Sequence, residues 1–183
     1  SSTGDVFLTN YCRYKLAMME QISHKKRMGL YKNKYFYSGY ILQDHPEFMR
    51  FINQFFPNHF RLIAMGPDGE RVVEKINKSF DFAGLKQILA KEKLLENDTL
   101  CELVLIKGLK EVYHYPEFEQ EAIIIALHKI AGLSTYPYHK NLCNNIISYY
   151  SKLSPGTKAP GFELMDSEGR IINLNDFKGK YVY

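Results

Sequence analysis

The chain has 183 residues, of which 45% are hydrophobic and 24% charged, and its formal net charge is +4. These values are typical of a globular protein, and so small a charge does not by itself indicate a nucleic-acid partner. The longest apolar run, residues 122–127, is far shorter than the roughly 20 residues of a membrane-spanning helix. We therefore expect no membrane span.

Residues 6–26 are predicted to form a helix, because apolar side chains recur there at three- and four-residue spacing. The apolar stripe consists of Leu8, Cys12, Leu16, Met19 and Ile22. A stripe of this kind is typical of a helix face that packs against a core. The basic residues 25–27 and Gly29 suit the end of this helix.

The stretch "HKKRMGLYKNKYFYSGY", residues 24–40, interleaves basic and aromatic side chains. Platforms that bind single-stranded nucleic acid have this composition. A solvated helix end followed by an aromatic loop that packs on the core accounts for the same residues. We favour the packed loop, while a peptide- or glycan-binding surface and a nucleic-acid platform stay open.

Residues 44–93 are predicted to form short helices. Asp44 is the expected capping acid of a helix that begins at Pro46, and Pro57 closes it. The buried stripe of that helix is predicted to be Phe48, Ile52 and Phe55. Another turn or two of helix is expected at 58–65, a turn at 66–69, and short helices at 70–78 and 82–93.

Three longer helices are predicted to follow, at about 98–113, 116–131 and 137–153. Thr99 and Glu102 match a capping box at the start of the first. Pro116 and Gly132 are the expected limits of the second, and Pro137 opens the third. Short loops make antiparallel neighbours, so the fold class is predicted to be mainly α, as an antiparallel helical bundle or helical array.

The pattern changes at residues 154–156, where Ser-Pro-Gly marks a boundary. Apolar and polar residues then alternate on both sides of "DSEG", residues 166–169, which predicts a β-hairpin. We therefore predict a helical domain over 1–153 and the start of a different domain over 154–183.

No catalytic, cofactor-binding or metal-binding residue is predicted. Cys12, Cys101 and Cys143 form no C-x-x-C pair, and we interpret all three as structural side chains on apolar helix faces. None of the six histidines belongs to an H-x-x-x-H pattern, and His139 is expected to cap a helix or lie at the surface. No glycine-rich phosphate loop is present in the sequence.

The tail "GTKAPGFELMDSEGRIINLNDFKGKYVY", residues 156–183, resembles the opening of the redox domain in TlpA/ResA-type thioredoxin-like thiol–disulfide oxidoreductases and the related AhpC/TSA peroxiredoxins. Those families carry G-x-x-A-P-x-F-x-L, then D-x-x-G, then L-x-D-F-K-G-K before an apolar strand. The matching residues are Gly156, Ala159, Pro160, Phe162, Leu164, Asp166, Gly169, Leu174, Asp176, Phe177, Lys178, Gly179 and Lys180. Gly161 and Asn175 replace the usual acidic residue and serine.

The resemblance implies a function for the parent protein rather than for this chain. In those families the apolar strand continues into a W-C-x-x-C turn, whose position at a helix start lowers the thiol pKa. The stretches "NYCRYKLAMMEQ", "HPEFMRFINQFF" and "NDTLCELVLIKGLKEVY" resemble, more loosely, the helical region that precedes the redox domain in long envelope members.

On this basis we expect the chain to be the non-catalytic helical accessory region of a periplasmic or cell-envelope thiol–disulfide oxidoreductase, followed by the start of a thioredoxin-like α/β domain. The expected partner is an unknown protein or a disulfide-bearing substrate of the parent, not nucleic acid, and no cofactor is expected. The alternative is a helical binding or scaffold module with no redox role.

Neither end of the chain has the pattern of a complete protein. The first residue is not Met, and residues 1–6 lack the basic start and apolar core of a signal peptide, so we expect a processed product or a piece of a longer chain. Residues 181–183 are the expected start of a strand that lacks neighbours. We therefore expect 161–183 to pair with a second copy of the chain, or else to bury its apolar side chains against the helical region.

Overall fold

The computed structural model describes residues 3–23, 32–36, 41–152 and 156–181. Within these residues the protein is mainly helical, with one small antiparallel sheet. Its α-helices are α1 Thr3–Ser23, α2 Pro46–Phe55, α3 His59–Ala64, α4 Gly69–Asn77, α5 Phe82–Leu89, α6 Asp98–Val112, α7 Gln120–Leu133 and α8 Pro137–Ser151. The strands are β1 Glu163–Met165 and β2 Ile171–Asn173. Short helical turns cover Lys32–Phe36, Lys93–Glu96 and Leu174–Phe177.

The chain divides into two compact units, residues 1–148 and 149–183. This division falls inside α8, a few residues before the boundary predicted from the sequence. The helical unit contains most of α8 and everything before it, and the smaller unit contains the hairpin.

Side-chain caps fix several helix starts, although two of them are not the predicted ones. The N-cap of α2 is His45, whose Nδ1 accepts a hydrogen bond from the Glu47 amide at 3.2 Å, so the prediction of Asp44 was wrong. The N-cap of α6 is Asn97, whose Oδ1 accepts from the Leu100 amide at 3.0 Å. The capping box predicted with Glu102 does not form, because this carboxylate is buried inside the helical unit.

The start and end of α7 also differ from the prediction. The helix begins at Gln120, because the segment that follows Pro116 is a hydrogen-bonded turn in which the Phe118 amide donates to the Tyr115 carbonyl at 3.0 Å. The side chain of Phe118 is buried and its ring lies 6.4 Å from that of Phe60. Gly132 lies within α7 and does not end it.

The core of the helical unit is built around α6. Ten of its 15 residues are buried, and they cover nearly its whole circumference. A helix that is apolar on all sides is one surrounded by other elements, and α6 contacts α3, α5 and α7. The predicted stripe of α2 is also confirmed, since Phe48, Ile52 and Phe55 are all buried.

Helix α1 packs on α2, but not through the stripe predicted from the sequence. Tyr14 and Ala17 are fully buried, and the Tyr14 ring lies 5.1 Å from the ring of Phe48 in an edge-to-face arrangement. Amide side chains link the two helices as well, since Gln21 Nε2 donates to the Gln54 carbonyl at 3.0 Å. The predicted buried stripe of α1 therefore lies on its outer side, and that prediction was wrong.

The hairpin in the C-terminal unit is the one predicted. Leu164 pairs with Ile172 in the antiparallel register. The Asp166 carboxylate closes the turn by accepting hydrogen bonds from the amides of Glu168 and Arg170, and Gly169 has a φ of 80°, which favours glycine. None of the apolar side chains predicted to bury against the helical region is buried; these are Phe162, Leu164, Ile172, Leu174 and Phe177.

Candidate functional site

An open groove lies between α1 and the helical turn Lys32–Phe36. Its volume is about 640 Å³, and most of its lining surface is apolar. The lining residues are Leu8, Thr9, Cys12, Arg13, Leu16, Lys34 and Tyr35. Clefts of 300–1,000 Å³ with apolar walls and a few polar groups are typical ligand sites. We call this feature the α1 groove.

Polar contacts hold the two walls of the α1 groove together. The Arg13 guanidinium donates a hydrogen bond to the Lys34 carbonyl at 2.7 Å. The Lys34 ammonium pairs with the Glu20 carboxylate, whose other oxygen accepts from the Tyr35 hydroxyl at 3.0 Å. The Tyr35 ring is buried and lies 5.7 Å from that of Phe51 on α2, so the turn is anchored in the core.

The outer side of α1 presents an unusually large apolar surface. The exposed fractions are 61% for Leu8, 57% for Leu16, 65% for Met19 and 68% for Ile22. Cys12 is exposed in the same stripe. Single exposed apolar residues are ordinary, whereas contiguous apolar patches mark interaction sites. The predicted burial of Cys12 was therefore wrong, and the pattern that indicated a core contact marks a surface.

Most of the cations near the α1 groove are paired with carboxylates. The Glu20 carboxylate hydrogen-bonds to Lys34 and so raises the pKa of that ammonium, while burial raises the pKa of the Tyr35 hydroxyl. The ammonium of Lys15, a second cation on α1, pairs with the Glu47 carboxylate at 3.2 Å. Among the described side chains, the ion pairs leave Arg13 without a carboxylate partner.

A buried polar pair in the helical unit lies away from the α1 groove. His139 Nδ1 on α8 lies 2.8 Å from Glu102 Oε1 on α6, and both side chains are almost completely buried. Among the residues that the structure describes, none makes a hydrogen bond with His139 Nε2. The sequence prediction of a capping or surface role for His139 was wrong. A pair shielded in this way orders the contact of α6 with α8 and offers no access to a substrate.

The other two cysteines, Cys101 and Cys143, are buried in the core of the helical unit. Burial raises the pKa of Cys101 to about 11 and that of Cys143 to about 12. Thiolate is the reactive form of cysteine, so these two side chains are poor nucleophiles at neutral pH. All three cysteines are free.

We expect one fast and two slow thiols in the folded protein. A thiol reagent at pH 7.5 should modify Cys12 within the first phase, because its side chain is exposed, and should modify Cys101 and Cys143 only as the chain unfolds. The measurement is the time course of absorbance as an aromatic disulfide reagent releases its own coloured thiolate, with and without denaturant. Three equally fast thiols in the native state would contradict the burial of Cys101 on α6 and Cys143 on α8.

A second crevice on the helical unit is polar, and its charged side chains are held in ion pairs. It lies between α4 and α5, with Arg71, Lys75, Asp81 and Lys91 in its wall. Lys75 pairs with Asp81, and Arg71 and Lys91 both pair with Asp68. Within the described ranges, no three His, Cys, Asp or Glu side chains are grouped so that they could hold a metal ion.

The predicted basic and aromatic stretch 24–40 is described only at Lys32–Phe36. There Tyr35 is buried and Phe36 is half-buried, as expected for the packed-loop interpretation. The rest of the stretch, including its basic cluster at 25–27, lies outside the described residues. Among the helices that the structure describes, none is both long and apolar enough to cross a membrane.

Comparison with known proteins adds no relationship to this picture. No protein-family model, curated protein or solved structure matches the chain.

Proposed function

We propose that the helical unit is a non-catalytic binding module that holds a partner in the α1 groove. The observation that carries this proposal is the outward apolar face of α1 beside a wall that the core holds in place. Cys101, Cys143 and the Glu102–His139 pair are buried and offer no accessible nucleophile or base. The exposed thiol of Cys12 lies in the apolar stripe to which the proposal assigns binding.

We propose further that the parent protein is a periplasmic or cell-envelope thiol–disulfide oxidoreductase, whose thioredoxin-like domain begins at the hairpin. The support is the resemblance of residues 156–183, whose motif residues also have physical roles in the turn. Asp166 and Gly169 form the hairpin turn, Asn173 and Asp176 form a reciprocal capping box, and Gly179 has a φ of 86°. A module with the same groove and no redox role is the second candidate.

The coding sequence after residue 183 separates the two candidates. A C-x-x-C within about a dozen codons of Tyr183 is expected for the oxidoreductase, because the strand that begins there leads into the active-site turn in that family. A stop codon, or a continuation without that pair, would leave the binding module without a redox role.

A dye that fluoresces on apolar surfaces tests the binding function directly. The folded chain should bind the dye, and Leu16→Glu should remove most of the signal, because it places a charge in the α1 groove. The matched control is Leu62→Glu on α3, where a leucine of similar exposure, 65%, lies outside the groove. Equal signals from both variants, or no dye binding by the native chain, would contradict a binding role for α1. Unchanged circular dichroism would show that both variants are folded.

A further inference from the structure

The chemistry of the α1 groove restricts the kind of partner that fits it, and this inference rests on the binding function proposed above. The exposed stripe of α1 is spaced as a helix-pairing seam. From Leu8 to Ile22 its five members recur at spacings of four, four, three and three residues, so they form one apolar face along which another helix can pack. The core contact of the same helix is made by Tyr14 and Ala17, on the opposite side. The seam therefore has no helix packed along it within the described part of the chain.

The shape of the site also favours a helix as the occupant. The Lys32–Phe36 turn rises beside the seam, so that α1 forms one side of the groove and Lys34 and Tyr35 the other. An amphipathic helix can lie along such an open groove with its apolar face on α1, which is a usual way that grooves receive amphipathic helices.

The charged residues that line the groove determine whether an acidic or a basic partner fits it. Arg13 lines the groove without a carboxylate partner among the described side chains, and Lys34 lies beside it. In the sequence, the segment that leads to the turn is basic, since residues 24–34 include five Lys or Arg and no Asp or Glu. Two copies of the chain would bring like charges together at this rim, which disfavours self-pairing.

We propose that the α1 groove binds an amphipathic helix of a partner protein whose apolar stripe is flanked by carboxylates. The apolar stripe packs along Leu8, Cys12, Leu16, Met19 and Ile22, and a flanking carboxylate pairs with Arg13. The apolar contact supplies affinity, and the charged rim selects acidic helices over basic ones.

Two synthetic helical peptides test this proposal. They share one leucine stripe at heptad spacing and differ only at the flanking positions, which are Glu in one peptide and Lys in the other. Fluorescence anisotropy with the native chain should show the Glu peptide binding at least ten-fold more tightly, with an advantage that shrinks as salt is added. Leu16→Glu should weaken its binding at least ten-fold and Leu62→Glu should not. Arg13→Glu should reduce the preference for the Glu peptide or reverse it.

The other outcomes each overturn the proposal in a recognisable way. Equal binding of the two peptides, or stronger binding of the Lys peptide, would show that the groove does not select acidic helices. Light scattering that shows a dimer of the native chain and a monomer of Leu16→Glu would make a second copy the occupant. Binding to vesicles of 30% phosphatidylglycerol and 70% phosphatidylcholine, with no binding of either peptide, would make an anionic membrane the occupant. If the dye binds at the groove and neither peptide does, the partner class is wrong while the binding function stands.

Discussion

Replacing Glu102 by methionine should lower the free energy of unfolding by about 1–3 kcal/mol, the usual cost of leaving a buried polar group without its hydrogen-bond partner. The substitution keeps most of the side-chain volume, so a cavity contributes little. It leaves the imidazole of His139 buried and removes the partner of Nδ1, while none of the described residues makes a hydrogen bond with Nε2. Urea unfolding followed by circular dichroism measures the loss.

A second substitution separates the polar contact from general damage to α6. Adding His139→Leu to Glu102→Met should recover much of the lost stability, because a buried polar pair replaced as a whole by apolar side chains costs little. The surface control is Glu74→Met on α4, whose carboxylate pairs with Lys78 and is 61% exposed, and here the loss should stay below about 1 kcal/mol. A double variant less stable than Glu102→Met alone would show that the pair does not act as described.

The contact between Glu102 and His139 could not be predicted from local sequence patterns. Glu102 follows Thr99 at the spacing of a capping box, and this local rule predicted a carboxylate that reaches back to the start of its own helix. Asn97 caps α6 instead, which frees Glu102 for a histidine 37 residues further along the chain. No spacing rule connects two residues at that separation, because their contact depends on how α6 and α8 pack.

Helix α1 illustrates a different limit. Periodicity correctly predicted that it is a helix, since the repeat of apolar residues depends only on helical geometry. Periodicity does not state which side faces the core. Tyr14 and Ala17 give the inner side fewer apolar residues than the outer side, yet the contact of Tyr14 with Phe48 and Phe51 decides the orientation. The apolar stripe that forms the candidate site was therefore predicted to be a core contact.

The hairpin was predictable because its determinants are local. Alternation of apolar and polar residues sets the strand faces, and the turn between them sets the register. Asp166 and Gly169 are only three residues apart, and the Gly169 amide donates to the Asp166 carbonyl at 3.1 Å, so a short sequence pattern is enough to predict the turn. The prediction that the same residues open a thioredoxin-like domain goes beyond the hairpin and stays a prediction.

Replacing Gly108 by alanine should destabilise the helical unit by about 1–3 kcal/mol, the typical cost of overpacking a core. Gly108 lies in the middle of α6, where alanine would otherwise favour the helix by about 1 kcal/mol. A β-carbon at this position would lie 2.3 Å from Cβ of Phe60 on α3, closer than any real contact allows. The two helices would have to separate, and thermal unfolding should report the loss.

Gly132 in α7 provides a matched control, because a β-carbon there would meet no atom within 4 Å. Gly132→Ala should therefore raise the unfolding temperature slightly, through helix propensity alone. If Gly108→Ala and Gly132→Ala both stabilise the protein, then α6 and α3 do not approach as closely as described, and the core around α6 must be packed differently.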